Sequence, residues 1–181
     1  MGELKALLPF GGRTLLEFQV GELRACREVS QVLVVVGYRK EKLLPFLKGA
    51  TAVENPDYEF GPTTSIKAGL KVLAPGRKGM LILGVDQPRP RRLLSSLLGE
   101  HQKGLYPITV PTFQGRRGHP VILTSALIPE LMKLSEEERG LRGFLEKHRE
   151  KVREVAVNSP WVLLDLNTPQ DYQQALSLLG R

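Results

Sequence analysis

The sequence predicts an α/β domain with a three-layer, open and mostly parallel twisted sheet. Short apolar runs alternate along the chain with longer amphipathic stretches, as strands and helices do in such a sheet. Two of the runs, 31–36 and 80–85, are almost continuously apolar, as expected for strands that helices cover on both faces. The 181 residues give one domain a sizeable core and are few for two. We therefore expect a single domain spanning 1–181.

The helices and strands of the first half are predicted from hydrophobic periodicity and from residues typical of turns and helix N-termini. Asn55-Pro56-Asp57 is a strong turn signal. Three hydroxyl residues after Gly61-Pro62 are typical of a helix N-terminus. The predicted elements are a helix at 14–28, a strand at 31–36, a short helix at 40–47, a strand at 51–54 and a helix beginning at 63–65.

The second half continues the alternation. Two glycines around two arginines at 114–118 indicate a turn, and Thr168-Pro169 is a cap signal for a closing helix. The predicted strands are 80–85, 108–112, 121–124 and 152–157, with a short extended piece at 162–164. The predicted helices are 90–101, 125–134, 141–149 and 168–179.

Composition narrows the class of function. The formal charge of +7 should attract anions, either over the whole surface or in a phosphate pocket. No aromatic residues alternate with the basic ones, so a stacking platform for nucleic acid is not expected. The apolar runs are too short to span a membrane, and no signal peptide is visible. The single cysteine, Cys26, favours a reducing, cytoplasmic setting.

Two aspartates follow apolar runs at points where ligands bind in open parallel sheets. Asp86 comes after 80–85, and Asp165 comes after 162–164. Ligands of such sheets lie at the carboxyl ends of the strands, so the two carboxylates could meet over one edge. Mg²⁺ prefers one or two carboxylates together with substrate phosphates and water. The alternative is that each aspartate caps the element that follows it.

Several sequence blocks together resemble the MobA-like nucleotidyltransferases, and most closely their MocA-type molybdenum cofactor cytidylyltransferases. The blocks occur in the family's order and extend over almost the whole chain. They are 1–16, 55–61, 65–70, 84–88, 115–121 and 164–172. The resemblance implies a nucleotide-diphospho-sugar transferase-like, Rossmann-like fold. It also implies nucleotidyl transfer from a nucleoside triphosphate, with CTP favoured, to a phosphorylated molybdopterin-type cofactor, and release of pyrophosphate.

The resemblance implies a catalytic and metal-binding set. Lys5 matches the lysine that contacts the nucleotide's phosphates, although it could also be a solvated lysine at a helix start. Asp86 matches the main Mg²⁺ ligand. Asp165 or Asn167 matches the second metal-side position, and Asp165 is preferred because it carries charge.

The resemblance also implies binding residues. Gly61 and Ser65 match a loop and helix N-terminus that face the nucleotide. Asn55 matches a position that contacts base or ribose, or it simply makes the turn. The acceptor-binding residues implied are Arg116, Arg117 and His119, with a hydrogen-bonding corner as the alternative for His119. His101 and His148 match no family position and are expected at the surface.

The implied activity leaves alternatives open. The reaction would rely on positioning and electrostatics, because a phosphate nucleophile is already ionised at neutral pH. Alternatives are another base or acceptor, or a non-catalytic protein that binds nucleotide or cofactor. A molybdenum enzyme or its maturation factor is a further partner that the resemblance allows.

One family feature is missing. Family members begin with an apolar strand and a glycine-rich phosphate loop that this sequence lacks. Losing that strand should leave 31–36 and 80–85 without a shared neighbour. The explanations are a start assigned too late or a shortened chain, a gap that closes or borrows a strand from a partner, and a natural non-catalytic relative.

Overall fold

The structure, a computed structural model, describes residues 4–180 and opens with a hairpin that the sequence did not predict. Residues Met1-Gly2-Glu3 of the first family block lie outside the described part. A 3₁₀ turn at Lys5–Leu7 leads into β1 (Pro9–Phe10) and β2 (Arg13–Thr14), which pair antiparallel. Gly11 and Gly12 make the turn with φ of +59° and +76°, a conformation that favours glycine.

Thr14 then begins the first helix, α1 (Leu15–Arg24). Its hydroxyl accepts from the Glu17 backbone N–H, and the Glu17 carboxylate accepts from the Thr14 backbone N–H. This reciprocal capping box satisfies two N–H groups at the helix start. The helix predicted for 14–28 is therefore confirmed, although it ends four residues earlier.

The second unit is a parallel strand pair with flanking helices. Strands β3 (Leu33–Val36) and β4 (Thr51–Glu54) pair in parallel, with Leu33 opposite Thr51. The connection contains α2 (Lys40–Leu43) and a 3₁₀ turn at Leu44–Phe46. After another 3₁₀ turn at Tyr58–Phe60 comes α3 (Pro62–Lys71), at the start that the sequence predicted.

The third unit is a five-stranded mixed sheet. Its path is β5 (Gly79–Ile82), β8 (Val121–Thr124), β6 (Ile108–Phe113) and β7 (Arg116–Arg117), with β9 (Val152–Ala156) also paired to β6. Only the β6–β9 pair is parallel; β5–β8, β6–β8 and β6–β7 are antiparallel. The helices of this half are α4 (Arg91–Gln102), α5 (Ile128–Leu131), α6 (Gly140–Lys147) and α7 (Pro169–Leu179). The α/β class is confirmed, with strand pairing that is mixed where mostly parallel pairing was predicted.

Two local predictions are corrected. The turn predicted at 114–118 is confirmed but confined to Gln114 and Gly115, with φ of +50° and +74°, and Arg116–Arg117 form β7 against β6. The extended piece predicted at 162–164 is a 3₁₀ turn at Pro160–Leu163, in which Pro160 takes the first position, where its missing N–H costs nothing. Asp165 therefore follows a helical turn and not a strand.

The core is divided where the sequence predicts a missing strand. Among residues 4–180, no strand pairs with the second edge of β3 or of β5. A cavity of about 1090 Å³ lies there; we call it the inter-sheet groove, and β3, β5, α1 and α3 supply most of its walls. One buried cluster joins α1 to β3, and two others lie on the five-stranded sheet. The predicted gap between 31–36 and 80–85 is thus present in the described chain.

Three side chains outside the blocks are more buried than charge patterning suggested. His148 is 7% exposed, with Nε2 2.7 Å from a Glu130 carboxylate oxygen and Nδ1 3.0 Å from the Phe144 carbonyl. His101 is half-buried and its Nδ1 lies 2.9 Å from the Thr109 hydroxyl. The prediction that both histidines lie at the surface is therefore wrong. Cys26 is buried, and burial raises the pKa of its thiol, which is the opposite of an activated cysteine.

Within the described residues, no helix has the length and apolar character of a membrane span.

Candidate active site

Asp86 lies on a tight turn that follows β5. The Gln87 side chain accepts from the Gly84 N–H at 2.9 Å, and the Gln87 N–H donates back to the Gly84 carbonyl at 3.1 Å. From α1, Gln19 donates to the carbonyls of Gly84 and Val85 at 2.7 and 2.9 Å. A Cβ at Gly84 would lie 2.7 Å from Asp86 Oδ1, so a larger residue there would displace the Asp86 carboxylate. These contacts fix the Asp86 carboxylate while leaving about a third of its side chain exposed.

Lys5 lies against this carboxylate. Its Nζ is 3.5 Å from Asp86 Oδ2 and donates to Asn167 Oδ1 at 2.9 Å. The lysine therefore contacts both Asp86 and the amide of Asn167, two residues beyond Asp165. A solvated lysine at a helix start would make neither contact.

The Asp165 segment joins the Asp86 turn directly. The Leu166 N–H donates to the Asp86 carbonyl at 2.8 Å. The Asp165 side chain is 39% exposed, but its Oδ1 is buried and has no hydrogen-bond partner among the described residues. Neither carboxylate is sealed inside the protein or turned to the opposite side. Residues 86 and 165 thus meet at one rim, as predicted.

A buried arginine that sequence reasoning missed lies beneath this rim. Arg89 is 0% exposed, and its guanidinium Nη2 lies 3.6 Å from Asp165 Oδ1. Burial lowers the pKa of Arg89 to about 10, against the opposing effect of Asp165 and Asp86, so it stays protonated at neutral pH. Arg89 belongs to a basic run at 89–92, which from the sequence alone could lie on a charged surface or in a phosphate pocket. No periodicity separates its inward-facing member, because Arg89 precedes α4.

His119 adjoins the same buried arginine. Its carbonyl accepts from Arg89 Nε at 3.0 Å, and its N–H donates to the Val162 carbonyl at 3.1 Å. Burial lowers the pKa of the His119 ring, and the charges of Asp165 and Asp86 oppose that shift. The ring Nδ1 is buried without a hydrogen-bond partner among the described residues. The structure therefore brings His119 to the two aspartates.

The two arginines predicted beside His119 lie farther out, on the hairpin strand β7. Both are exposed. Arg117 pairs with Glu154 of β9, with Nη2 2.6 Å from Oε1. Within 4–180, neither arginine has a hydrogen bond or ion pair to Lys5 or to the two aspartates. Their acceptor-binding role stays a prediction.

The predicted nucleotide-facing residues form a compact turn at the start of α3. Asn55 is 3% exposed, and its amide donates to the hydroxyls of Thr64 and Ser65 at 2.9 and 3.0 Å. Its Oδ1 accepts from the Asp57 N–H at 3.0 Å. These contacts account for Asn55 as a turn residue, the alternative left open by the sequence. Ser65 also lines the inter-sheet groove, as do Gly84 and Val85 at the Asp86 turn.

The N-terminus of α3 already carries a carboxylate from the chain itself. Glu136 Oε1 accepts from the Thr63 N–H at 2.7 Å. Gly61 has φ of +100°, and a Cβ there would lie 2.6 Å from the same oxygen. Glu136 therefore takes one of the helix-end N–H groups that the sequence assigned to nucleotide.

The residues present fit a divalent cation that substrate helps to bind. No group of three or more His, Cys, Asp or Glu side chains capable of holding a metal occurs in the described part of the chain. Asp86 and Asp165 supply two carboxylates, whose side chains are 32% and 39% exposed. Mg²⁺ is commonly held by one or two carboxylates plus substrate phosphates and water, so this donor set matches it better than an all-protein cage.

Comparisons with known proteins show the family to which the chain belongs. The family described as MobA-like NTP transferase domain matches residues 1–152. The molybdenum cofactor cytidylyltransferase of Escherichia coli (strain K12) is 24% identical over 180 residues, covering 95% of this chain and 86% of that protein. The nicotine blue oxidoreductase of Paenarthrobacter nicotinovorans is 29% identical over 151 residues, covering 79% and 73%.

Solved structures share the fold. Rv0371c from Mycobacterium tuberculosis H37Rv, determined as a manganese complex, superposes with a TM-score of 0.80 at 24% identity, covering 96% of this chain and 91% of that one. The family match extends over most of the chain and includes Lys5 and Asp86. The chain therefore belongs to the family of MobA-like NTP transferase domains and is a nucleotidyltransferase.

Proposed function

We propose that the protein transfers a cytidylyl group from CTP to a phosphorylated molybdopterin-type cofactor, with Mg²⁺ bound by Asp86 and Asp165. The observation that carries the proposal is the junction of the two aspartate segments, with Lys5 in contact with Asp86 and Asn167. The printed name of the E. coli relative, molybdenum cofactor cytidylyltransferase, supports the base and the acceptor. The manganese complex of Rv0371c supports a divalent cation as the cofactor.

The proposed reaction requires the protein to hold charged groups in place. It does not require a general base, because no proton has to be removed. An acceptor phosphate is ionised at neutral pH and attacks the α-phosphorus of the triphosphate, while pyrophosphate leaves in line. Lys5 would bind a phosphate oxygen and offset the negative charge that grows during transfer. Asp86 and Asp165 would hold Mg²⁺, which supplies charge neutralisation for the phosphates when bound.

Other residues would bind the two substrates. His119, beside both aspartates, would contact the acceptor, with Arg116 and Arg117 assisting from β7. Gly61, Ser65 and Asn55 would shape the nucleotide side, where Ser65 shares the inter-sheet groove with Gly84. A cytoplasmic setting agrees with the single buried cysteine. A molybdenum enzyme or its maturation factor would receive the product.

The test is pyrophosphate release with each of the four nucleoside triphosphates in the presence of molybdopterin and Mg²⁺. We expect turnover with CTP, loss of turnover on chelation, and a fall of about 100-fold or more in Asp86→Asn, because the variant loses a carboxylate ligand of the cation that neutralises the phosphates. Glu41→Gln is the matched control, since this exposed carboxylate lies on α2 away from the rim. Equal turnover in the two variants would contradict the metal assignment. Preference for another triphosphate would correct the base.

A second candidate is a protein that binds nucleotide or cofactor without turnover. The inter-sheet groove favours it, because the strand edges beside the Asp86 turn lack their neighbour. Calorimetry with CTP separates the two candidates. Tight CTP binding with no pyrophosphate release under any acceptor condition would support the binding protein.

A further inference from the structure

Arg89 donates four hydrogen bonds beneath the candidate site, all of them to backbone carbonyls. Nε donates to the His119 carbonyl at 3.0 Å, Nη1 to the carbonyls of Pro88 and Leu164 at 2.9 and 2.7 Å, and Nη2 to the Val162 carbonyl at 3.0 Å. The remaining N–H, on Nη2, is on the group that lies 3.6 Å from Asp165 Oδ1. A planar guanidinium offers five donors in a fixed fork, and a lysine ammonium offers three from a single atom.

These bonds join three segments that lie far apart in the sequence. Pro88 belongs to the Asp86 turn, His119 to the acceptor-facing corner, and Val162 and Leu164 to the turn that precedes Asp165. We infer that Arg89 is a positioning residue that sets Asp165 against Asp86 and fixes the acceptor-facing corner beside them. The inference rests on the proposed function for the roles of those segments.

The contact with Asp165 orients the carboxylate without consuming it. At 3.6 Å the pair is an ion pair and not a close hydrogen bond: the buried Oδ1 faces the guanidinium, and the exposed remainder of the carboxylate is left for the rim. The four carbonyls satisfy the guanidinium, and Asp165 and Asp86 are the two carboxylates whose charges act on it. The carboxylate is therefore turned towards the rim by a buried cation whose position backbone atoms fix.

The acceptor-facing corner is bound to the same frame. The Val162 carbonyl accepts from both Arg89 Nη2 and the His119 N–H. A Cβ at Gly118 would lie 2.0 Å from that carbonyl oxygen, so the two segments touch backbone to backbone. Losing Arg89 removes the donors that hold this oxygen and the His119 carbonyl, and the corner and Asp165 should shift together.

The test compares Arg89→Lys and Arg89→Met with Arg92→Met, which removes an exposed arginine from α4. The first readout is binding of Mn²⁺ alone, followed by electron paramagnetic resonance. We expect affinity to fall about 10- to 100-fold in both Arg89 variants and less than about twofold in Arg92→Met, as when groups that orient metal ligands are removed. Arg89→Lys keeps the buried positive charge, so the measurement can still be made on this variant if Arg89→Met does not fold.

Two further readouts separate positioning from simple destabilisation. Amide exchange at His119 and Leu166 should speed up in folded Arg89→Lys, while exchange at β6 stays as in the unsubstituted chain. KM for the acceptor should rise about tenfold or more, with a much smaller change in KM for CTP.

Each outcome decides the inference or the function beneath it. Mn²⁺ affinity, exchange and acceptor KM in Arg89→Lys equal to those of Arg92→Met would overturn the inference. If the unsubstituted chain neither binds Mn²⁺ nor releases pyrophosphate, the proposed function fails. Amide exchange then still decides whether Arg89 holds the two segments.

Discussion

The inter-sheet groove should accept an extended apolar strand, and this can be tested by adding one. Both long walls are strand edges, β3 and β5, whose backbone groups on that side have no strand partner in residues 4–180. Lys5 lies 3.5 Å from Asp86, which follows β5, so the N-terminal end of the described chain is near one end of the groove. An apolar segment of about six residues, joined upstream of Lys5 by a short flexible linker, should therefore reach it.

The expected gain follows from the four-residue length of each edge. A strand between β3 and β5 would form about four backbone bonds with each edge. At about 1 kcal/mol net per bond, these roughly cancel the cost of about 1–2 kcal/mol per residue for ordering the segment. The net change in stability therefore depends on side-chain burial. Two or three apolar side chains at about 2 kcal/mol each stabilise the protein by roughly 4–6 kcal/mol. A polar segment of equal length should give about zero.

Thermal unfolding measures the gain. For a chain of this size, about 1 kcal/mol shifts Tm by roughly 2–4 °C, so the apolar segment should raise Tm by roughly 10–20 °C. The matched control carries two prolines at alternate positions, which keeps the segment apolar while removing N–H donors. Amide exchange should slow at Leu33–Val36 and Gly79–Ile82 only with the proline-free segment. Equal Tm gains from the two segments would refute strand pairing and leave only unspecific apolar contact.

Three further substitutions test local features. Gly118→Ala should destabilise the protein by roughly 2–4 kcal/mol in urea unfolding, because its Cβ would meet the Val162 carbonyl oxygen at 2.0 Å; an effect below 0.5 kcal/mol would contradict that packing. Glu136→Gln should cost about 0.5–2 kcal/mol, because an anionic acceptor leaves the Thr63 N–H at the start of α3; no loss would mean that water replaces it equally well. His101→Gln tests pH dependence: burial lowers the His101 pKa below its ordinary value, so the histidine's contribution is fully present above about pH 6.5 and is lost as pH falls through the lowered folded pKa. Urea midpoints of the unsubstituted chain should therefore drop more than those of His101→Gln between pH 7 and pH 5, and parallel curves would contradict the assignment.

The elements that could be predicted from the sequence are those whose signals are local. Thr14 with Glu17, and Thr168 with Asp171, form capping boxes that place two helix starts. The strand at Thr51–Glu54 was predicted to the residue because Asn55-Pro56 ends it. The turn at Pro160–Leu163 was missed because its apolar residues resemble a short strand and only Pro160 indicates otherwise.

Some residues of the candidate site could likewise be predicted from the sequence, and others could not. Asp86 and Asp165 could be proposed from their places after apolar runs, and Lys5 from family resemblance. Strand direction could not be predicted, since an antiparallel β5–β8 pair and a parallel β6–β9 pair have similar apolar patterns. Arg89 could not be distinguished from Arg91 and Arg92, because its burial depends on carbonyls more than 25 residues away in sequence, at His119, Val162 and Leu164.

The groove and the candidate site are physically linked through the Asp86 turn. Gly84 and Val85 line the groove, and their carbonyls accept from Gln19 of α1. Gly84 also makes both bonds to Gln87 that shape the turn. On the Asp86 side, side chains such as Gln19 therefore hold the site next to strand edges that lack a neighbour. On the Asp165 side, a buried guanidinium holds it, and the 3₁₀ turn at Pro160–Leu163 packs on β6 and β7, away from the open edge of β5. A strand in the groove should therefore order Asp86 more than Asp165, because only the Asp86 turn borders the open edge.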